Sequence, residues 1–233
     1  MRYVNKCKLA YLLYSPFQNI LLRIKGVKAE GIVYVGGGIS VFKDRLASIT
    51  IGRGCRFMSK QWGNPQGLKH RCMITALSPE ARLVIGNNCG FSGTSIFCQS
   101  KIVLADGVRC GANTLIMDAD GHENDFRAGT PQQVTIERNV WVGSDAIILK
   151  GVTIGRWAMV GSGSVVRNSI PPYAIVIGNP AKIVGFSKTP EEIIEHEKAL
   201  YPEEERLPLE LLEKNYNKYF LKRLKEIKEF TRL

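Results

Sequence analysis

Histidine is scarce in this 233-residue sequence, with residues only at 70, 122 and 196. That scarcity argues against a histidine-built metal centre, whose ligands come in clusters at short fixed spacings. The six cysteines (Cys7, Cys55, Cys72, Cys89, Cys98, Cys110) include no C-x-x-C pair. Neither a thiolate zinc site nor a dithiol redox motif is therefore expected, and no metal. Scattered cysteines without a secretory leader read as reduced thiols of a cytoplasmic protein. No stretch reaches the roughly 18 apolar residues that a spanning helix needs. Acid is missing altogether from residues 1–28, which carry Arg2, Lys6, Lys8, Arg23, Lys25 and Lys28 around apolar patches at Leu9 to Tyr14 and Ile20 to Ile24. This segment reads as a helix covering one end of the fold, with peripheral attachment to the anionic inner face of a membrane as the alternative.

What is present is positive charge and glycine. The net charge is +11, unevenly spread: the last 45 residues hold 9 Lys/Arg against 11 Asp/Glu, the first 188 hold 23 against 10. A basic body favours an anionic partner. The basic residues are dispersed and no nucleic-acid recognition motif appears, so nucleic acid is not expected. A phosphorylated cofactor and an acidic glycan fit better. The 23 glycines suit a fold of many tight turns.

Those turns have a period. Ile136, Val142, Ile148, Ile154, Val160 and Val166 stand six apart, and Val140, Ala146, Val152, Ala158 and Ser164 follow four positions after the first five. A helix cannot use a period of six, because successive aliphatics would rotate around its axis. One short strand per hexapeptide can, with three hexapeptides making each coil of a triangular prism. The frame extends back through Ile85, Phe91 and Phe97, then Leu104, Cys110 and Ile116 after a one-residue slip, and Ile51 and Phe57 suggest an earlier coil. The period alone does not settle handedness.

Two segments break the rhythm, residues 58–73 and residues 117–135, and loops ejected from a regular scaffold commonly house function. The repeat ends at Ile170-Pro171-Pro172. Thr189-Pro190-Glu191-Glu192 is a helix start with a capping threonine, and a second helix is expected from about Pro208 to Phe230. The domain reading is a helical segment at 1–30, a β-helix at 31–186 and a helical extension at 187–233.

Among the histidines, His196 is expected on the solvated side of its helix, and His70 lies in the first loop. His122 follows Gly121 in the second loop, among Asp118, Asp120, Glu123 and Asp125. A carboxylate beside an imidazole fixes its tautomer and stabilises the imidazolium, as a general base requires.

The motifs Asp118-Ala119-Asp120-Gly121-His122, Asn139-Val140-Trp141-Val142-Gly143-Ser144, Leu149-Lys150-Gly151-Val152, Gly161-Ser162-Gly163-Ser164-Val165-Val166 and Gly178-Asn179-Pro180-Ala181-Lys182 resemble those of the acetyl-CoA-dependent hexapeptide-repeat O-acetyltransferases. The likeness is nearest to those that modify capsular, lipopolysaccharide or exopolysaccharide sugars. It implies an all-β solenoid, a left-handed parallel β-helix with N- and C-terminal helical extensions, working as a homotrimer with active sites between subunits. It further implies acetyl-CoA as donor, a sugar or glycan acceptor, and a role in surface polysaccharide biosynthesis. By position, His122 matches the catalytic base, with Asp120 or Glu123 orienting it. Trp141 matches a tryptophan lining the cleft, and Gly143-Ser144 and Gly161-Ser162 match small positions against the pantetheine arm. Arg167, Asn168 and Lys182 fall where the family meets the far end of coenzyme A, although the family often has Thr-Lys in place of Arg167-Asn168. The trimer agrees with outward-facing Trp141 and Trp157. Two alternatives stay open: N-acetylation of an amino-sugar on the same scaffold, and a non-enzymatic binding solenoid.

Overall fold

A computed structural model describes residues 3–122, 125 and 127–221. Its centre is a triangular prism of three parallel sheets, each built from every third strand. The alternation of inward aliphatic and outward polar residues sets the register. One inward column runs Ala29, Ile51, Ile85, Leu104, Ile136, Ile154 in the first sheet. The second sheet stacks Val35, Phe57, Phe91, Cys110, Val142, Val160 and Val176. The third stacks Val41, Ile74, Ile96, Ile116, Ile148 and Val166. All of these except Ala29 are buried, and the rings of Phe57 and Phe91 stack at 4.8 Å. The chain is therefore a parallel β-helix.

Two details depart from the expected frame. A complete first rung, Ala29–Val35–Val41, precedes the one suggested by Ile51 and Phe57, so strands begin at Lys28. The third-sheet column passes through Ile96, not Phe97, because the corner at Gly93-Thr94 is short; Phe97 points outward beneath Gly121 of the ejected loop.

Two positions near the corners between the second and third sheets leave no room for a side chain. A Cβ on Gly143 would lie 2.5 Å from the Ser162 backbone nitrogen, and one on Gly111 would lie 2.6 Å from that of Ser144. Glycine is a steric requirement there.

An open prism end exposes unpaired strand N–H groups, which must be covered. Helix α1 (Tyr3–Ile24) covers the first rung. It does so with its polar residues: Ser15 Oγ accepts from Val35 N at 2.9 Å, Asn19 Oδ1 from Val33 N at 3.0 Å and Gln18 Oε1 from Ile39 N at 3.1 Å. The face left outside is apolar, with Leu12, Leu13, Phe17, Ile20 and Ile24 all more than half exposed.

The other end closes with an antiparallel pairing of Ala174–Ile177 with Lys182–Phe186 and with helix α2 (Pro190–Leu200). Helix α2 starts with the Thr189–Glu192 capping box, and Thr189 N donates to Glu192 Oε2 at 2.8 Å. Helix α3 (Leu209–Tyr216) follows and passes into a π-helical turn at Asn217–Leu221. The remainder of the helix expected to reach Phe230 lies outside the described residues.

Helix α2 overturns two expectations. His196 is only partly exposed: its Nδ1 lies 3.0 Å from the Tyr173 hydroxyl, and its ring meets Trp157 edge-on at 4.7 Å. Trp157 is likewise not an open outward surface, because α2 covers it and its Nε1 donates to Tyr201 Oη at 3.1 Å. Beside them lies a buried ion pair of Arg156 with Glu197, whose side chains are 11% and 2% exposed. Glu197 also accepts from the Tyr173 hydroxyl at 2.6 Å and from Leu207 N at 3.0 Å. Burial, then the neighbouring Glu197, pushes the Tyr173 phenol well above its ordinary pKa.

Candidate active site

The second rhythm break is a loop pinched shut at its base. Gln132 N donates to Asp118 O at 2.8 Å, so the chain leaves the prism after the third sheet and re-enters where it left. Asp118 itself is fully buried. Its carboxylate turns back to the rung below, accepting from Gln99 N at 2.7 Å and Ser100 N at 2.8 Å. Of the acids that surround His122 in sequence, Asp118 is therefore a structural anchor. It also helps burial push the Cys98 thiol up to about 12.

Lys150 holds the ejected arms. Its Nζ donates to Asp120 Oδ2 at 2.7 Å and to Ala128 O at 2.6 Å, tying both sides of the loop to the rung above. Lys150 stands two residues after Ile148, as Asp118 does after the paired Ile116, so the repeat's register carries the signal that would have marked it. Asp125 pairs with Arg127 across the loop, and that guanidinium holds its carboxyl below the usual range.

His122 is exposed at the rim of a cleft of about 320 Å³. Ser78, Gln99, Asp120 and the segment Ala128 to Pro131 complete the walls. Asp120 shares this cleft, but its hydrogen bond goes to Lys150 and not to the imidazole. Glu123 lies outside the described residues. Among those described, no side chain hydrogen-bonds the His122 ring, which is open to an incoming group.

The other candidate residues lie on different surfaces. Trp141 is 57% exposed on the outer face of the second sheet and lines a separate cleft with Tyr11, Arg56 and Arg109. Gly143-Ser144 and Gly161-Ser162 stack on consecutive rungs at the corner between the second and third sheets. The Ser144 hydroxyl donates to Gln66 Oε1 at 3.0 Å. That contact belongs to the first ejected loop, residues 58–73, which folds over this corner; Lys69 pairs with Asp145, and Leu68 is buried. His70 in the same loop is exposed, its Nδ1 3.0 Å from Arg71 O. Arg167, Asn168 and Lys182 are exposed near the far end of the prism, where Ala181 N donates to Val165 O at 2.8 Å. A single chain thus brings His122 and Asp120 to one cleft and Trp141 to another. Among the described residues, no group of three His, Cys, Asp or Glu side chains is placed to hold a metal ion.

Residues 133–168 match the family described as bacterial transferase hexapeptide (six repeats). Over 195 residues the chain is 28% identical to a Mycobacterium tuberculosis protein named a probable acetyltransferase, covering 77% of this chain and 61% of that one. It is 49% identical over 106 residues to a chloramphenicol acetyltransferase of Agrobacterium fabrum, covering 44% of this chain and 51% of the relative. The chain thus spans about half to three-fifths of the length of these relatives. Among solved structures it is similar to AntD, an N-acyltransferase from Bacillus cereus in complex with dTDP and 3-hydroxybutyryl-CoA. The TM-score is 0.56 at 19% identity, over 78% of this chain and 93% of that one, a likeness of fold.

Proposed function

We propose that the protein transfers an acetyl group from acetyl-CoA to a sugar hydroxyl, with His122 as general base. The observation that carries this reading is the pinched loop, which holds an imidazole with no hydrogen-bond partner among the described side chains at the rim of a cleft, on a scaffold similar to acetyltransferases. His122 takes the proton of the acceptor hydroxyl as its oxygen attacks the thioester carbonyl. A backbone N–H stabilises the oxyanion, the carbon–sulfur bond breaks, and the imidazolium returns the proton to the departing thiolate. Lys150 holds Asp120 and the loop in place, and Glu123 is the remaining candidate to orient the ring.

The separation of His122 from Trp141 supports a homotrimer of left-handed prisms, in which the loop of one subunit meets the second-sheet face of its neighbour. Coenzyme A would lie along the corner of Gly143, Ser144, Gly161 and Ser162, with its phosphates toward Arg167, Asn168 and Lys182. The exposed apolar face of α1, with Arg23, Lys25 and Lys28 beside it and no acid in residues 1–28, supports attachment to the anionic inner face of a membrane, a fitting place for surface-polysaccharide synthesis. No helix among the described residues is long and apolar enough to cross a membrane.

The test is thiol release from acetyl-CoA against a panel of neutral, acidic and amino sugars, surface glycans and chloramphenicol. Acetylation of a sugar hydroxyl that His122→Ala abolishes is the expected result. Full transfer by His122→Ala would remove the histidine from the mechanism, and acetylation confined to an amine would replace the O-acetyl reading.

A further inference from the structure

Outward side chains of the second sheet form a column that the repeat does not explain. Tyr34, Arg56, Gly90, Arg109 and Trp141 pair rung to rung in that order. Two clefts, of about 700 and 230 Å³, lie along this column, and both are lined by Tyr11 of α1 and by Arg56. They make one groove from Trp141 to α1.

Its chemistry is cationic and aromatic. The Arg56 guanidinium lies over the Tyr34 ring at 6.0 Å, and Arg109 donates to the backbone carbonyl of Asn88. Among the described residues neither arginine forms an ion pair, and no acid lines either cleft. Glycine at position 90 lets Arg109 lie against the sheet, since a Cβ there would be 3.2 Å from Arg109 Cδ and 3.5 Å from its Nη1. Burial pushes the Tyr11 phenol up to about 12, leaving it a protonated donor at the far wall.

We infer that this groove is an acceptor subsite for an anionic group, a carboxylate or a phosphate, held between Arg109 and Arg56 while the sugar to be acetylated rests on Trp141. This rests on the reading above, in which Trp141 lines the active-site cleft. Rungs are about 4.8 Å apart. Arg109, one rung from Trp141, reaches a substituent of the same sugar; Arg56, three rungs away, reaches a phosphate ester or the next sugar. Arginine forks suit both anions, and Trp141 offers a flat apolar face to a sugar ring. Among the described residues, the acids on the rim of a second copy's ejected loop are poorer occupants, because Asp120 and Asp125 already pair with Lys150 and Arg127.

Matched probes test this: methyl glucuronide against methyl glucoside for the carboxylate, and N-acetylglucosamine 1-phosphate against N-acetylglucosamine for the phosphate. Binding is read by tryptophan fluorescence and turnover by thiol release. The full-length protein is expected to favour at least one anionic member over its neutral partner by about tenfold or more. Arg109→Gln should remove that preference, read as the ratio of KM for the charged member to KM for its neutral partner, with a smaller loss in Arg56→Gln. Anionic probes that bind without being acetylated would support the subsite while defeating the acetyl-transfer reading. Equal binding of charged and neutral members would overturn the subsite. So would a change of oligomeric state in Arg109→Gln by light scattering, which would assign the arginines to a subunit contact.

Discussion

His122 and His196 occupy opposite kinds of place. His122 stands on a loop that the prism ejects, exposed, with no described side chain on its ring. His196 lies between Tyr173 and Trp157, beside a buried ion pair that ties the C-terminal helices to the last rungs. A histidine whose ring is committed to packing and hydrogen bonding holds a structure together. One whose nitrogens are free can exchange protons with a substrate. Local sequence put His196 on the solvated side of its helix, because the covering contacts come from Tyr173 and Trp157, far along the chain.

The largest break in this comparison is expected from exchanging their fates. His122→Ala should lower kcat by about 10²–10⁴, the usual contribution of a general base, with the urea midpoint unchanged. His196→Ala should leave kcat near wild type and lower the midpoint. Parallel turnover and denaturation curves check both, and a shared loss in both variants would erase the distinction.

On the structural side, Glu197→Ala leaves Arg156 buried and unpaired, which typically costs about 3–5 kcal/mol. Urea unfolding followed by tryptophan fluorescence should register this, since Trp157 lies against α2. A smaller change at the active site comes from Lys150→Met, which releases Asp120 and Ala128 together. Loss of that positioning should cost roughly tenfold in kcat/KM without altering the pH profile assigned to His122; an altered profile would place Lys150 in the proton transfer itself.

The smallest effect is electrostatic. Burial, then Lys188, holds the His196 pKa below its ordinary value, so the folded protein binds this proton less readily than the unfolded chain. The unfolded chain takes up the proton as pH falls through about 6.5. Stability should therefore decline from neutral pH downward and stay level above it. His196→Gln should flatten that decline in urea midpoints measured between pH 8 and pH 5.5.

Legibility in the sequence followed local spacing. The columns through Ile136 to Val166 could be read directly, because six-residue spacing is unbroken there. The first rung is hidden because Ala29 is a weak aliphatic signal, and the second is interrupted by the insertion at 58–73, which separates Phe57 from Ile74. Phe97 was misassigned because one short corner shifts the frame without changing composition. His122 was conspicuous on the loop, whereas Lys150 and the two arginines stand out only once the rungs are in register.

By itself, then, the sequence determined the rungs, their corners and the place where the chain leaves them, because each depends on residues a few positions apart. Tertiary structure decided what covers the ends and what faces the solvent. Helix α1 turns Ser15, Gln18 and Asn19 inward because the N–H groups of the first rung need acceptors, a demand invisible until that rung exists. Asp118 is buried, and Asp120 committed to Lys150, for the same kind of reason. Their partners come from other rungs, and only the stacking of the prism brings them within reach.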